Sequence, residues 1–337
     1  MRIVLFMNIN RFIYKFIFLK MRTLTKKKVE FLMKKPVIIS TDPGIDDAVA
    51  LAICLFSPAI EVKSIIATNG NVNAQQALIN ILKLENFFGK SIPVVKGVER
   101  SLVKQSIRAK EIHGKSGMDG YDFPNPSFEL VDHGISPVAI HKIVAASSEK
   151  VTLIGIAPLT DYALYVRLYP DDIKNIKELI IMGGAMGRGN YGIYSEFNIA
   201  SDPEAAKIIF ESGLKIRVAP LELGAQAKIM PEVSNQIRQL GKAGDMFYDL
   251  FKKFRGGSFQ TGLKIYDALA AGILLNPQMF KFKKTHVEID VQTGYTYGAS
   301  LMDFKNKLDL PNNAEIAVSV DPEIFSKWFV EALSKTR

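Results

Sequence analysis

Along residues 36–275, short continuous apolar runs alternate with helix-like segments, and this alternation restricts the possible folds more than any other feature. "PVIIS" (36–40) precedes "DDAVALAICLF" (46–56), and "EVKSIIAT" (61–68) precedes "NAQQALINILKLENFF" (73–88). "VTLIGIA" (151–157) leads into "PLTDYALYVRLYP" (158–170), and "ELIIMGG" (178–184) leads through a loop to "DPEAAKIIFESG" and "KIRVAP". Strands that are apolar throughout, joined by helical crossovers, belong to a parallel sheet covered on both faces. The expected class is therefore α/β: an open, mostly parallel (mixed) sheet with helices on both faces. Further helical stretches are expected at 231–256 and 265–275, strands at "HVEIDVQ" and "AEIAVSV", and a closing helix bearing Trp328. No linker rich in Pro, Gly or Ser divides residues 36–337, so they read as a single domain. Residues 99–136 are polar and Gly-rich, a loop long enough to expect a functional role.

Charge narrows the partners. Residues 1–35 carry ten Lys or Arg and one Glu, whereas the remaining 33 basic and 33 acidic residues balance. The formal charge of +9 thus belongs to a basic N-terminal extension, and the body offers no attraction to nucleic acid. Asn8, Asn10, Arg11 and Lys15 interrupt the apolar run of that extension, so stable membrane insertion is not expected. It also lacks a small-residue cleavage site, and a start at Met33 is the preferred reading over a surface-lying helix. A single cysteine, Cys54, forbids a disulfide framework and points to the cytoplasm.

In open α/β sheets, ligands bind beyond the carboxyl ends of the strands. "STDPGIDD" (40–47), "ATNGNVN" (67–73), "GIAPLT" (155–160) and "GGAMGRGNYGIYSEFN" (183–198) all fall there. Helix capping accounts for one or two acids at a helix start. Three do not fit that account, because unit charges 4 Å apart repel by about 4 kcal/mol at an effective dielectric of about 20. A hard cation with oxygen ligands relieves this repulsion. Other motifs fail on context. "GRGNYG" (187–192) is followed by no helix start, and "FFGKS" lacks the upstream glycine of a phosphate loop. An Asp-x-Asp phosphotransferase pattern fails at Gly44, and the histidines at 113, 133, 141 and 286 have no metal-ligand spacing.

"TDPGIDDAVAL", followed in order by "ATNGN", "PLT", "EFNIASDPEAA" and "YDALA", resembles the inosine–uridine-preferring nucleoside hydrolases, from about residue 36 to the C-terminus. The resemblance implies hydrolysis of the N-glycosidic bond of ribonucleosides by a Ca²⁺-bound water, in an enzyme that forms homodimers or homotetramers. Carried over by position, Asp42, Asp47, the Thr160 carbonyl and Asp267 ligate Ca²⁺, and Asp42 is the general base. Asp46, Asn71 and Asn198 take the 2′- and 3′-hydroxyls, and Asn190 with Glu196 takes the 5′-hydroxyl. His113 matches a histidine on a mobile loop over the base. There are two departures. Ser40 stands where the family usually has an Asp, and Tyr266 stands where a histidine often protonates the leaving base. Tyrosine is a weak acid, so Tyr266 is expected to orient the base, with His113 or solvent supplying the proton, or the substrate to be one that leaves without strong acid help. A catalytically impaired riboside-binding relative and a hydrolase of a non-standard ribosylated compound are alternatives that fit the same residues.

Overall fold

The computed structural model describes residues 34–129 and 131–336. The N-terminal extension, up to residue 33, lies outside them. Nine strands form the main sheet: β1 (Lys35–Thr41), β2 (Ile60–Ala67), β3 (Val94–Lys96), β4 (Val131–Asp132), β5 (Val151–Gly155), β6 (Ile176–Met182), β7 (Ile216–Ala219), β8 (Phe280–Thr285) and β9 (Ala314–Val320). Their order is β8-β9-β7-β6-β5-β1-β2-β3-β4. All neighbours are parallel except β8 against β9. The antiparallel edge strand makes the sheet mixed, as expected. β8 was not anticipated: its sequence "FKFKKT" carries the lysines that suit a sheet edge better than its interior.

β1 explains why the sheet is covered twice. Val37 and Ile39 enter one core with the helices Ile45–Phe56, Ala74–Phe88, Lys242–Lys253 and Asp267–Leu275. Ile38 enters the opposite core, with the helices Ser136–Ala146, Thr160–Leu168 and Pro203–Phe210. Successive strand residues face opposite ways, so burial on both sides demands the unbroken apolar runs seen in the sequence. Of the expected strand "HVEIDVQ", only Val287–Ile289 pairs, with Ser300–Met302 in a separate two-stranded sheet. The stretch 231–256 holds two helices, Pro231–Arg238 and Lys242–Lys253, separated by a short turn in which Gly241, at the start of the second, has a φ of 74° that a continuous right-handed helix does not allow. No helix among the described residues is long and apolar enough to cross a membrane.

Chain order sets the position of the site. From β1 the chain runs outward through β2, β3 and β4, then returns to the other side of β1 as β5. The crevice between the carboxyl ends of β1 and β5 is therefore the point where the winding reverses, and there the loops diverge and leave room for a ligand. Asp42 follows β1 and Thr160 follows β5.

Candidate active site

Past β1, Pro43 and Gly44 turn the chain into the helix Ile45–Phe56, whose first turn carries Asp46 and Asp47. Asp47 caps this helix: its Oδ2 accepts from Gly44 N at 2.9 Å, and its Oδ1 accepts from Thr41 Oγ1 at 2.6 Å and Asp42 N at 3.3 Å. Asn71 binds both acids, donating from its backbone N to Asp42 Oδ2 at 2.5 Å and from Nδ2 to Asp47 Oδ2 at 3.2 Å. The loop can approach so closely because residue 70 is glycine. A Cβ there would overlap the Asp42 carboxylate and come within 2.7 Å of Pro158.

Asp267, more than 200 residues away in the chain, opens the helix Asp267–Leu275, which packs beside Ile45–Phe56. One oxygen each from Asp46, Asp47 and Asp267 lies within 4.8 Å of the others, and all three residues are buried. Asp42 is fully buried and its Oδ1 has no hydrogen-bond partner among the described residues. Burial pushes all four carboxyls above their ordinary range. After burial, Asp47 contributes most at Asp42 and Asp46, the latter reaching about 8, and Asp46 contributes most at Asp267. Asp47 is raised by burial and partly held down by Thr41 and Gly44. Four buried carboxyls that cannot all stay ionised, with one oxygen orphaned, form a donor set suited to a hard cation. Asp46, which the resemblance assigns to the ribose hydroxyls, belongs to this cluster as well as lining the cavity.

The adjoining cavity, of about 150 Å³, is lined by Asp46, Asn71, His113, Asn190, Glu196, Asn198, Tyr266 and Asp267 among others. Asp42, Asp47 and Thr160 do not line it. Thr160 begins its helix after β5, with its Oγ1 donating to Asp202 Oδ2 at 2.6 Å. Glu196 caps the short helix Phe197–Ser201 and accepts from the N–H groups of Gly184, Asn198 and Ile199 at 3.0–3.2 Å; burial raises its carboxyl to about 7. Asn190 Oδ1 accepts from Phe197 N at 2.9 Å, so both expected 5′-hydroxyl residues are fixed at one helix start. Asn198 Nδ2 donates to the Met182 carbonyl at 3.1 Å. "GRGNYG" lies in a tight loop in which Tyr191 N donates to Ser195 O at 2.9 Å; a Cβ at Gly189 would overlap the Ser195 backbone, so packing accounts for that glycine.

The long polar segment delivers His113 at the end of a one-turn helix, Lys110–His113. Its ring lies against Gly44, where a Cβ would sit 2.7 Å from Nδ1, and faces Phe254 with centroids 5.5 Å apart. Nδ1 accepts from Ile45 N at 3.2 Å, which puts the proton of the neutral ring on Nε2. Burial lowers its pKa to about 4. Tyr266 packs over Gly224, where a side chain would overlap its ring. Burial, then the charges of Asp46 and Glu196, raise its phenol above the ordinary value. Sequence reasoning missed Ile112, Phe254 and Phe197, which complete the apolar wall. No local motif marks them, because only the fold brings them together.

The family described as inosine-uridine preferring nucleoside hydrolase matches residues 37–327. The chain is 37% identical over 304 residues to the non-specific ribonucleoside hydrolase RihC of Salmonella newport, an alignment spanning 88% of this chain and 97% of that relative. It superposes on a purine-preferring ribonucleoside hydrolase from Gardnerella vaginalis with a TM-score of 0.83 at 26% identity, covering 90% of this chain and 99% of that one. A plant nucleoside hydrolase gives a TM-score of 0.82 at 28% identity over the same shares.

Proposed function

The chain belongs to the inosine-uridine preferring nucleoside hydrolase family and is a ribonucleoside hydrolase acting in nucleoside catabolism, and from that premise we propose how its own residues perform the reaction. The reading rests on one observation above all: buried Asp46, Asp47 and Asp267 cluster beside buried Asp42, whose Oδ1 has no partner among the described residues, where the winding of the sheet reverses.

Asp42, Asp47 and Asp267, with the Thr160 carbonyl, are the oxygen donors we assign to Ca²⁺. An all-oxygen set rich in carboxylates suits that ion. When bound, the cation offsets the repulsion among the acids and lowers the pKa of the attacking water. Asp42, its Oδ2 held by Asn71, takes the water's proton on Oδ1. Asp46, Asn71 and Asn198 orient the 2′- and 3′-hydroxyls, while Asn190 and Glu196 hold the 5′-hydroxyl. As the bond from C1′ to the base nitrogen breaks, positive charge develops on the ribose, and the acids around it stabilise that charge. His113, its pKa lowered by burial, is neutral at pH 7 and donates a hydrogen bond to the base from Nε2, while the departing base takes its proton from solvent. Tyr266 orients the base against Phe254 and Ile112.

We further assign residues 36–337 to a single domain and the protein to the cytoplasm, where the buried thiol of Cys54, its pKa pushed up to about 12, stays reduced. A homo-oligomer, dimeric or tetrameric, is supported by exposed Tyr191, Ile193, Tyr194, Tyr295 and Leu301, on segments joined through Ser195 and Ala299. The test of the catalytic reading is release of uracil from uridine compared with 2′-deoxyuridine. Removing one hydroxyl leaves buried polar groups unpaired, so kcat/KM is expected to fall by about 10⁴-fold. Comparable values for the two would refute the hydroxyl assignments.

A further inference from the structure

Behind the acidic cluster, three fully buried side chains form a hydrogen-bonded chain. Ser40 Oγ lies 2.5 Å from Thr68 Oγ1, and Thr68 Oγ1 donates to Asp161 Oδ2 at 3.1 Å. Its direction follows from chemistry. Thr68 gives its single proton to Asp161 and so must receive that of Ser40. Asp161 also accepts from Ser136 Oγ and from Val98 N at 3.0 Å. One carboxylate thus gathers donors from the end of β2, the loop after β3 and the start of the helix Ser136–Ala146. No Lys, Arg or His among the described residues forms an ion pair with it.

Each end of this chain leads into the site. Ser40 is two residues before Asp42. Thr68 is three residues before Asn71, which bonds both Asp42 and Asp47. Asp161 directly follows Thr160. A buried carboxyl without a counter-ion is a costly way to fill space, which an apolar side chain of the same shape could do. Its position suits another purpose.

We propose that Asp161 is a positioning residue: through Thr68 and Ser40 it locks the turns that carry Asp42, Asn71 and Thr160 in the arrangement hydrolysis requires. The inference deepens the cation assignment given under Proposed function and rests on it.

The test is a double-mutant cycle in the full-length chain with Asp161→Asn, Ser40→Asp and the pair together. Its readouts are Ca²⁺ affinity by calorimetry, the Tm of the metal-free protein, and kcat and KM for uridine. Asp161→Asn removes the charged acceptor. Ser40→Asp puts carboxylates at both ends of a chain whose middle has one proton to give. The double variant moves the single carboxylate to the other end of the same chain. Each single variant is expected to lose about 10-fold or more in Ca²⁺ affinity and in kcat, with KM changed by no more than about 3-fold. The double variant should recover most of both losses and of the Tm, because the two sites are coupled through Thr68. Wild-type values for Asp161→Asn, or a double variant whose losses are the product of the single ones, would overturn the proposal. If Asp161→Asn does not fold, folding of the double variant supports it. In that case Thr68→Val supplies the second measurement: it should show the same loss of affinity, and an unchanged affinity overturns the proposal. A wild-type chain that binds no Ca²⁺ would refute the cation assignment alone, since the kcat cycle still decides the role of Asp161.

Discussion

Replacing Tyr266 by phenylalanine separates two accounts of how the base leaves. The Tyr266 hydroxyl makes no hydrogen bond to another described residue, and its ring is held by packing over Gly224. Burial together with Asp46 and Glu196 raises its pKa, making it a weaker acid than an ordinary tyrosine. Tyr266→Phe therefore keeps the packing and strands no protein partner. The loss is confined to one hydrogen bond to the substrate, about 0.5–1.5 kcal/mol, or roughly 2- to 10-fold in kcat/KM. The assay is steady-state ribose release from uridine and inosine over pH 6–9, with Tm measured to establish that the fold is intact. A fall of about 10³-fold in kcat at unchanged KM, with Tm retained, would show that the phenol is the acid and refute this reasoning.

Two more outcomes follow from individual contacts. Gly70→Ala should displace the Asp42 carboxylate, costing its bond to Asn71 N and, by overpacking, about 1–3 kcal/mol of stability; kcat should fall by at least about 10²-fold, read by steady-state kinetics beside a thermal melt. Glu85 lies in the last turn of the helix Ala74–Phe88, where burial raises its carboxyl from 4.5 to about 7 despite a bond from Ile92 N. A carboxyl raised on folding contributes stability below about pH 4.5 and loses it as pH rises through 7. The full shift corresponds to about 3 kcal/mol at most, and screening near the helix end leaves roughly half of that. Glu85→Gln should therefore gain a few degrees in Tm over wild type at pH 8 compared with pH 4.5; a difference independent of pH would contradict the assignment.

The parts of this molecule legible in its sequence are those determined by local pattern. Burial on both faces of β1, β5 and β6 requires unbroken apolar runs, and such runs can be read directly. Strand order is set by packing across the sheet, so neither the return of β5 beside β1 nor the antiparallel β8 could be read. Asp42, Asp46 and Asp47 announce themselves because three acids crowded at one helix start repel. Asp267 shares their cluster from a distant helix and was found by resemblance alone. His113 was found in the same way, but its tautomer, fixed by Ile45 N, depends on a contact between residues 68 positions apart. Ser40 stood out by resemblance as a departure, but its link to Thr68 and Asp161 carries no sequence signal, since threonine and aspartate at strand ends are ordinary loop chemistry until the fold joins them.

The central claim is that the buried acids hold a Ca²⁺ on which hydrolysis depends. The most direct measurement is uridine hydrolysis by chelator-stripped protein titrated with Ca²⁺, for wild type and Asp267→Asn. The account predicts no turnover without the ion, recovery at one equivalent per wild-type chain, and an Asp267→Asn response shifted by at least about 10-fold in Ca²⁺ concentration. Full turnover by stripped protein, or identical titrations for the two, would contradict it.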